Sequence, residues 1–195
     1  MLMLLEVRWR GSEKMISGLT EMVGDVEIDS QIFCKETLQE VLQSYPEINR
    51  DNLSIRIDIQ KNPEFIEGYA LKGTDFLSSR GYSICGIIPQ RAINDGYSQK
   101  LVKTILSHEF AHIVNGDLDG LGILIHALNP LTNNMLLRWR ERKADREVIR
   151  RGFGKDLYES CSYVESIKGK RPHHYYSTSQ IAELLTKISS GGEVR

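Results

Sequence analysis

The chain has 195 residues and a mass of 22.3 kDa, with 41% hydrophobic and 26% charged residues, an ordinary composition for one globular domain. Its formal net charge is −1, so overall charge gives no support to a nucleic-acid partner. The three cysteines are far apart and form no Cys-x-x-Cys pair, which predicts free thiols in a reducing, cytoplasmic setting. We expect a single soluble domain over residues 1–195.

The strand signals lie in the first half of the chain. Residues 5–9 alternate apolar and charged side chains, which predicts a half-buried strand. Strict alternation over residues 53–59 predicts the clearest strand. Residues 82–88 predict another, in which Gly81 and Gly86 allow a bulge or a close backbone approach. We expect residues 1–95 to be strand-rich, with 82–88 as a candidate sheet edge that an extended peptide could join.

The helical signals become dense after residue 96. Apolar residues at helical spacing, with breaks at Pro and Gly, predict helices at 34–45, 99–115, 132–151, around 157–164, and from the capping box that opens at Ser177. Asp95 or Ser98 offers an N-cap for the second helix. Strands followed by helices predict an α+β fold, with a helical part at 96–190 and a mobile tail at 191–195.

Within the second helix stands the sequence SHEFAH, which has the pattern His-Glu-x-x-His. His108 and His112 are four residues apart, so both imidazoles project from one helix face and can bind one Zn²⁺ at roughly 2.0–2.1 Å. Glu109 is rotated by about 100° from His108, so it flanks the metal and can accept a proton from water there. The surrounding residues are apolar all round, which predicts a buried helix whose polar side chains need partners.

A catalytic zinc usually takes three protein ligands, and no third histidine follows the motif at short spacing. On the later helix, Glu141 and Asp145 are four residues apart and share a face. Glu141 could complete the ligand set, and Asp145 could accept the second ring N–H of a ligand histidine. The alternative is that both carboxylates pair with the neighbouring Arg138, Arg142 or Lys143 on a solvated face.

The segments HEFAHIVNGD and ERKAD, followed by RRGF, resemble the gluzincin metallopeptidases of the HtpX and CAAX-prenyl-protease type. The resemblance implies one zinc ion per chain, bound by His108, His112 and Glu141. It also implies Glu109 as general base and Asp145 as the carboxylate behind a ligand histidine. The fold it implies is a small mixed or antiparallel sheet packed on a helical zincin core, with the His-Glu-x-x-His helix buried.

The chain differs from that family in two regions. Family members commonly carry transmembrane helices, whereas the uncharged run at 120–137 contains several polar residues and predicts a loop with a short apolar helix. The family's downstream His-Pro motif is replaced by HYYSTSQI, which begins at His174. By position in the resemblance, His174 is the predicted catalytic donor towards the developing oxyanion, with Tyr175 and Tyr176 as the other candidates.

The predicted function is hydrolysis of a protein or peptide by a zinc-dependent metalloendopeptidase. One alternative is a regulatory zinc peptidase that cuts one protein partner, like the ImmA/IrrE type; another is a catalytically silent module that acts through a partner. The basic residues of 138–151 and the apolar residues 121–128 also suggest peripheral contact with anionic lipid. The sequence predicts no oligomeric state.

Overall fold

A computed structural model of the chain describes residues 35–48, 53–60, 67–72, 81–118, 130–169 and 172–192. Helices predominate among these residues. The predicted strand at 5–9, the apolar residues 121–128 and the end of the predicted tail lie outside the described residues. The described part of residues 1–95 contains helices as well as strands, because a helix precedes the first described strand.

Six α-helices and three strands make up the described part of the chain. The helices are α1 Lys35–Ser44, α2 Gln90–Asn94, α3 Ser98–Val114, α4 Pro130–Val148, α5 Gly154–Lys168 and α6 Thr178–Ser189. A π-helical turn, Ile149–Phe153, joins α4 to α5. The strands are β1 Leu53–Gln60, β2 Glu67–Lys72 and β3 Tyr82–Pro89.

The three strands form one mixed sheet in the order β1-β3-β2. β3 runs parallel to β1 and antiparallel to β2. The prediction that residues 82–88 form a sheet edge was therefore wrong, because hydrogen bonds to β1 and β2 occupy both sides of β3. β2 was not predicted, because its six residues include Gly68 and two charged residues, both of which are disfavoured in strands.

Gly86 lies where α3 crosses the middle strand. A Cβ atom at this position would lie 2.9 Å from Ile57 Cδ1 and 3.2 Å from Ile105 Cγ2, so the absence of a side chain allows the close approach that the sequence predicted. Ile57 is its register partner on β1. Gly86 thus sets how closely α3, which carries the His-Glu-x-x-His motif, lies on the sheet.

Gly86→Ala is expected to lower the free energy of unfolding by about 1–3 kcal/mol, as overpacking of a filled core does. The closest contact is with the terminal methyl group of Ile57, so adding Ile57→Val should restore part of the loss. Urea denaturation of both single variants and the double variant measures this. Strict additivity of the two single effects would contradict the proposed contact.

Helix α3 is buried along most of its length and contacts β2, β3, α1, α4 and α5. Tyr45 lies in the turn after α1. Its hydroxyl donates a hydrogen bond to the Ser107 carbonyl at 2.8 Å, and its ring contacts the Phe110 ring edge-on. These contacts fix the helix one residue before His108. The position of His108 therefore depends on core packing by Tyr45.

The predicted N-cap of α3 was wrong at both candidate positions. Tyr97 precedes the helix and no side chain caps it. Asp95 instead ends α2, a short helix that the sequence did not predict, and its carboxylate accepts a hydrogen bond from the Tyr163 hydroxyl at 2.9 Å. Because the Asp95 carboxylate accepts this hydrogen bond at the end of α2, it does not cap α3.

Two helix boundaries in the second half of the chain lie where the sequence predicted a break or a cap. Gly152 adopts φ +93° in the turn between α4 and α5, a left-handed conformation that favours glycine. Ser177 and Gln180 form the predicted capping box at the start of α6. None of the helices described has both the length and the apolar character needed to cross a lipid bilayer.

Candidate metal centre

The two histidines of the motif meet a carboxylate from the next long helix. His108 and His112 are buried on α3, and Glu141 projects towards them from α4. The His108 Nε2 atom lies 2.9 Å from Glu141 Oε2 and 3.1 Å from His112 Nε2, and His112 Nε2 lies 3.4 Å from Glu141 Oε2. His108, His112 and Glu141 thus form a buried group that could hold a metal ion.

A second carboxylate contacts the far side of each imidazole. His108 Nδ1 lies 3.0 Å from Asp145 Oδ1, and His112 Nδ1 lies 2.8 Å from Asp117 Oδ2. An ionised carboxylate can only accept a hydrogen bond, so each Nδ1 carries the proton and donates it. In the neutral tautomer this leaves both Nε2 lone pairs directed at the same point as the Glu141 carboxylate.

Three lone pairs that converge on one point repel one another unless a cation or a proton lies between them. The donor set, two imidazole nitrogens and one carboxylate oxygen, is one that zinc accepts in catalytic sites. In tetrahedral zinc sites with bonds of 2.0–2.1 Å, ligand atoms lie roughly 3.3 Å apart. The separations of 2.9 to 3.4 Å in this triangle agree with that value to a few tenths of an ångström.

The site carries an excess of buried negative charge. Glu109, Asp117 and Asp145 are all buried, and Glu141 is nearly so, with 13% of its side chain exposed. Arg140 donates to the Asp117 carbonyl at 2.5 Å, and its Nε atom lies 3.9 Å from Asp117 Oδ1. Burying several carboxylates together is unfavourable unless positive charge, from protonated imidazoles, arginine or a metal ion, lies among them. A bound dication would supply that charge.

The pKa values of the ligands show the same preference for positive charge. Burial alone would lower the pKa of His108, but hydrogen bonds to Asp145 and Glu141 outweigh burial and raise the pKa to about 10. Burial alone would raise the pKa of Glu141, but hydrogen bonds to the two histidines lower it well below its usual value. A metal ion must displace the proton that these groups hold, so metal binding releases protons and weakens at low pH.

The structure brings together most of the residues that the sequence selected. His108, His112 and Glu141 converge, and Asp145 contacts His108 as expected of a carboxylate behind a ligand. Both α4 carboxylates contact a ligand histidine, which disfavours the alternative of pairing only with basic neighbours on a solvated face. Glu109 is buried beside His108 on α3.

The sequence reading gave no role to Asp117. The chain turns at Gly116, which has φ +72°, and the Asp117 backbone N–H donates to the His112 carbonyl at 3.0 Å. This turn returns the Asp117 side chain to the His112 ring. The Asn-Gly-Asp sequence that begins three residues after His112 was the signal for such a turn.

Asp117→Asn is expected to weaken zinc binding by about 10–100-fold, the usual cost of losing an outer partner of a metal-ligating histidine. The amide keeps the shape of the carboxylate but removes the charge that favours the required tautomer. Competition with a chromogenic chelator measures the affinity. Asp156→Asn, which changes a carboxylate that pairs with Lys103 away from the site, is the control. Equal affinity of both variants would mean that Asp117 does not orient His112.

The segment before α6 places Tyr175 next to His108. The Tyr175 ring centroid lies 5.7 Å from that of His108, whereas His174 packs against the Tyr175 ring at 4.5 Å and the His173 ring at 5.7 Å. His174 was chosen because it lies near the position of the histidine in the family's downstream His-Pro motif. The ring contacts now favour Tyr175 as the candidate that faces the site.

Comparisons of this chain with protein-family profiles, curated proteins and solved structures gave no match.

Proposed function

We propose that the chain is a zinc-dependent metalloendopeptidase with His108, His112 and Glu141 as the metal ligands. The observation that carries the proposal is the convergence of these three side chains in a buried, negatively charged site beside Glu109. A site that only stabilises a fold usually has four protein ligands. Three ligands beside a buried carboxylate are typical of hydrolytic zinc sites.

When bound, zinc would polarise the scissile carbonyl and lower the pKa of water in the site. Glu109 accepts the proton of the attacking water and returns it to the leaving amine. Asp145 and Asp117 hold the two ligand imidazoles in the tautomer that leaves Nε2 as the ligand atom. Tyr175, next to His108, is the candidate donor to the developing oxyanion.

We also propose that the arrangement of α3, α4 and the sheet is a zincin core. Its support is a buried His-Glu-x-x-His helix packed on a small mixed sheet, with the third ligand on the following long helix. Within this proposal, the gluzincins of the HtpX and CAAX-prenyl-protease type are the family that the motifs favour. A cytoplasmic location is part of the same proposal.

The second candidate is a regulatory or catalytically silent zinc-peptidase-like module that acts through one protein partner, as in the ImmA/IrrE type. The altered segment around His174 favours it mildly, because the family's downstream His-Pro motif is replaced there. The buried Glu109 counts against a silent module, because a purely structural metal site does not need a base. The two candidates differ in whether peptide hydrolysis depends on Glu109.

Metal content and peptide cleavage measured on one preparation test the proposal. Elemental analysis gives the zinc bound per chain, and a quenched-fluorescent peptide library gives hydrolysis, for the wild type and for Glu109→Gln. We expect one zinc per chain in both proteins and cleavage in the wild type only. Zinc without Glu109-dependent cleavage would favour the partner-binding module, and absence of zinc after reconstitution would overturn the metal site.

Peripheral contact with anionic lipid is proposed for the exposed face of α4. Met135 and Trp139 are 78% and 53% exposed and one turn apart, and Lys143 Nζ lies 5.1 Å from the Trp139 ring centroid. Apolar side chains flanked by basic ones suit a membrane surface.

Lys143→Glu is therefore expected to lower partition onto phosphatidylserine vesicles about fivefold or more, since each basic residue contributes about 1 kcal/mol. Lys187→Glu, on the exposed end of α6, is the control in a flotation assay. If the wild type does not float with these vesicles, the proposed contact is wrong.

A further inference from the structure

Tyr176 fastens the segment 172–177 to α4 by three different contacts. Its backbone N–H donates to Asp145 Oδ2 at 3.3 Å. Its hydroxyl accepts a hydrogen bond from Arg146 Nη1 at 2.9 Å. The guanidinium carbon of Arg142 lies 4.8 Å from the centroid of its ring, within the range of a cation–π interaction.

Asp145 connects this attachment to the metal centre. Its side chain is fully buried; Oδ1 accepts from His108 Nδ1 at 3.0 Å, and Oδ2 accepts from the Tyr176 backbone. A planar carboxylate held at both oxygens cannot rotate without breaking one of the two bonds. The orientation of the His108 ring therefore depends on where the Tyr176 backbone lies.

We propose, on the basis of the proposed metal site, that Tyr176 is a positioning residue for metal binding. It holds Asp145, and through Asp145 the His108 ring, in the orientation that places His108 Nε2 towards His112 and Glu141. The same attachment keeps the preceding residue, Tyr175, beside His108. Because coupling between two equilibria is reciprocal, metal binding stabilises the docked segment by the same factor by which docking strengthens metal binding.

Tyr176→Ala removes the ring and the hydroxyl, whereas Tyr176→Phe keeps the ring and removes the bond from Arg146. We expect zinc affinity to fall about tenfold in the alanine variant, at the lower end of the range for groups behind a ligand. A smaller fall is expected in the phenylalanine variant. Tyr158→Phe, an exposed tyrosine on α5, is the matched control, and chelator competition is the measurement.

A double-variant cycle tests whether the hydroxyl acts through Arg146. Arg146→Gln and Tyr176→Phe remove the same hydrogen bond, so the double variant should bind zinc no more weakly than the weaker single variant. Full additivity in zinc affinity would overturn the assignment of this contact to metal positioning. The readout is binding of zinc alone, so peptide hydrolysis does not enter.

Hydrogen exchange gives a second test, first in the wild type and then in Tyr176→Ala. Zinc should slow amide exchange in the peptide that covers 172–177 more than in β1, and Tyr176→Ala should lose this effect. Unchanged zinc affinity in Tyr176→Ala, even with a lowered melting temperature, would show a merely structural role and overturn the proposal. So would equal zinc-dependent protection in both proteins.

The outcomes separate this inference from the proposed function. Coupled zinc binding and protection without any peptide cleavage would support the positioning role and contradict the peptidase. Cleavage by a zinc-loaded protein whose affinity does not depend on Tyr176 would contradict only the positioning role. Failure of the wild type to bind zinc would overturn both.

Discussion

Glu109→Gln is expected to bind zinc like the wild type and to lose about 10²–10⁴-fold in kcat/KM, the range that general acid–base catalysis contributes. Glutamine preserves the volume and most of the hydrogen bonding of a buried side chain, but its amide cannot accept the proton of water. The loss should therefore appear mainly in kcat. Steady-state cleavage of a fluorogenic peptide, with zinc measured on the same sample, separates chemistry from metal loss.

The matched control for this variant is Glu183→Gln, an exposed glutamate on α6. It should leave both activity and zinc content unchanged. Glu109→Asp keeps the base but moves it back by one methylene, so an intermediate loss of activity is expected. Wild-type activity in Glu109→Gln would rule out the proposed role of this carboxylate as the base.

Glu141→Ala is expected to weaken zinc binding by more than about 100-fold, because loss of a ligand should exceed the 10–100-fold cost of losing an outer partner. The substitution removes the only carboxylate in the convergent group and leaves two imidazole nitrogens. It also removes the hydrogen bond between Glu141 and His108 at 2.9 Å. Zinc affinity from chelator competition is the measurement, and hydrolysis should fall with metal occupancy.

The charge and the ligand atom of Glu141 can be examined separately. Glu141→Gln keeps an oxygen at the same reach but removes the negative charge, so its zinc affinity should lie between those of the wild type and Glu141→Ala. The control Glu183→Ala should bind zinc normally. If Glu141→Ala retained wild-type affinity, the third ligand would have to be another side chain, and the proposed ligand set would be wrong.

Local sequence spacing was enough to predict the two histidines of the site. His108 and His112 are placed one turn apart by helix geometry alone, and the apolar residues around them predicted burial correctly. Glu141 lies 33 residues from His108, and no local rule connects them. It was proposed as the third ligand because it shares a face with Asp145 on a later helix, and the resemblance of the ERKAD segment supported that choice.

The features that the sequence missed are set by tertiary contacts or by backbone turns. Asp117 reaches His112 because Gly116 adopts a left-handed conformation, and the spacing of the two residues does not reveal that. β2 pairs with β3 despite weak strand propensity, since pairing with a formed neighbour can override local preference. The position of Tyr175 beside His108 depends on how Tyr176 attaches to α4, which has no signature in a linear pattern.

The contact between α3 and α4 at the metal centre has a consequence for the lifetime of the protein. A metal ion held by both helices would act as a reversible cross-link, and a ligand that binds only the folded state stabilises that state by mass action. Each tenfold excess of free zinc over the dissociation constant would add about 1.4 kcal/mol to stability. Zinc supply would then set how often α4 separates from α3, and thus how fast cellular proteases degrade the chain.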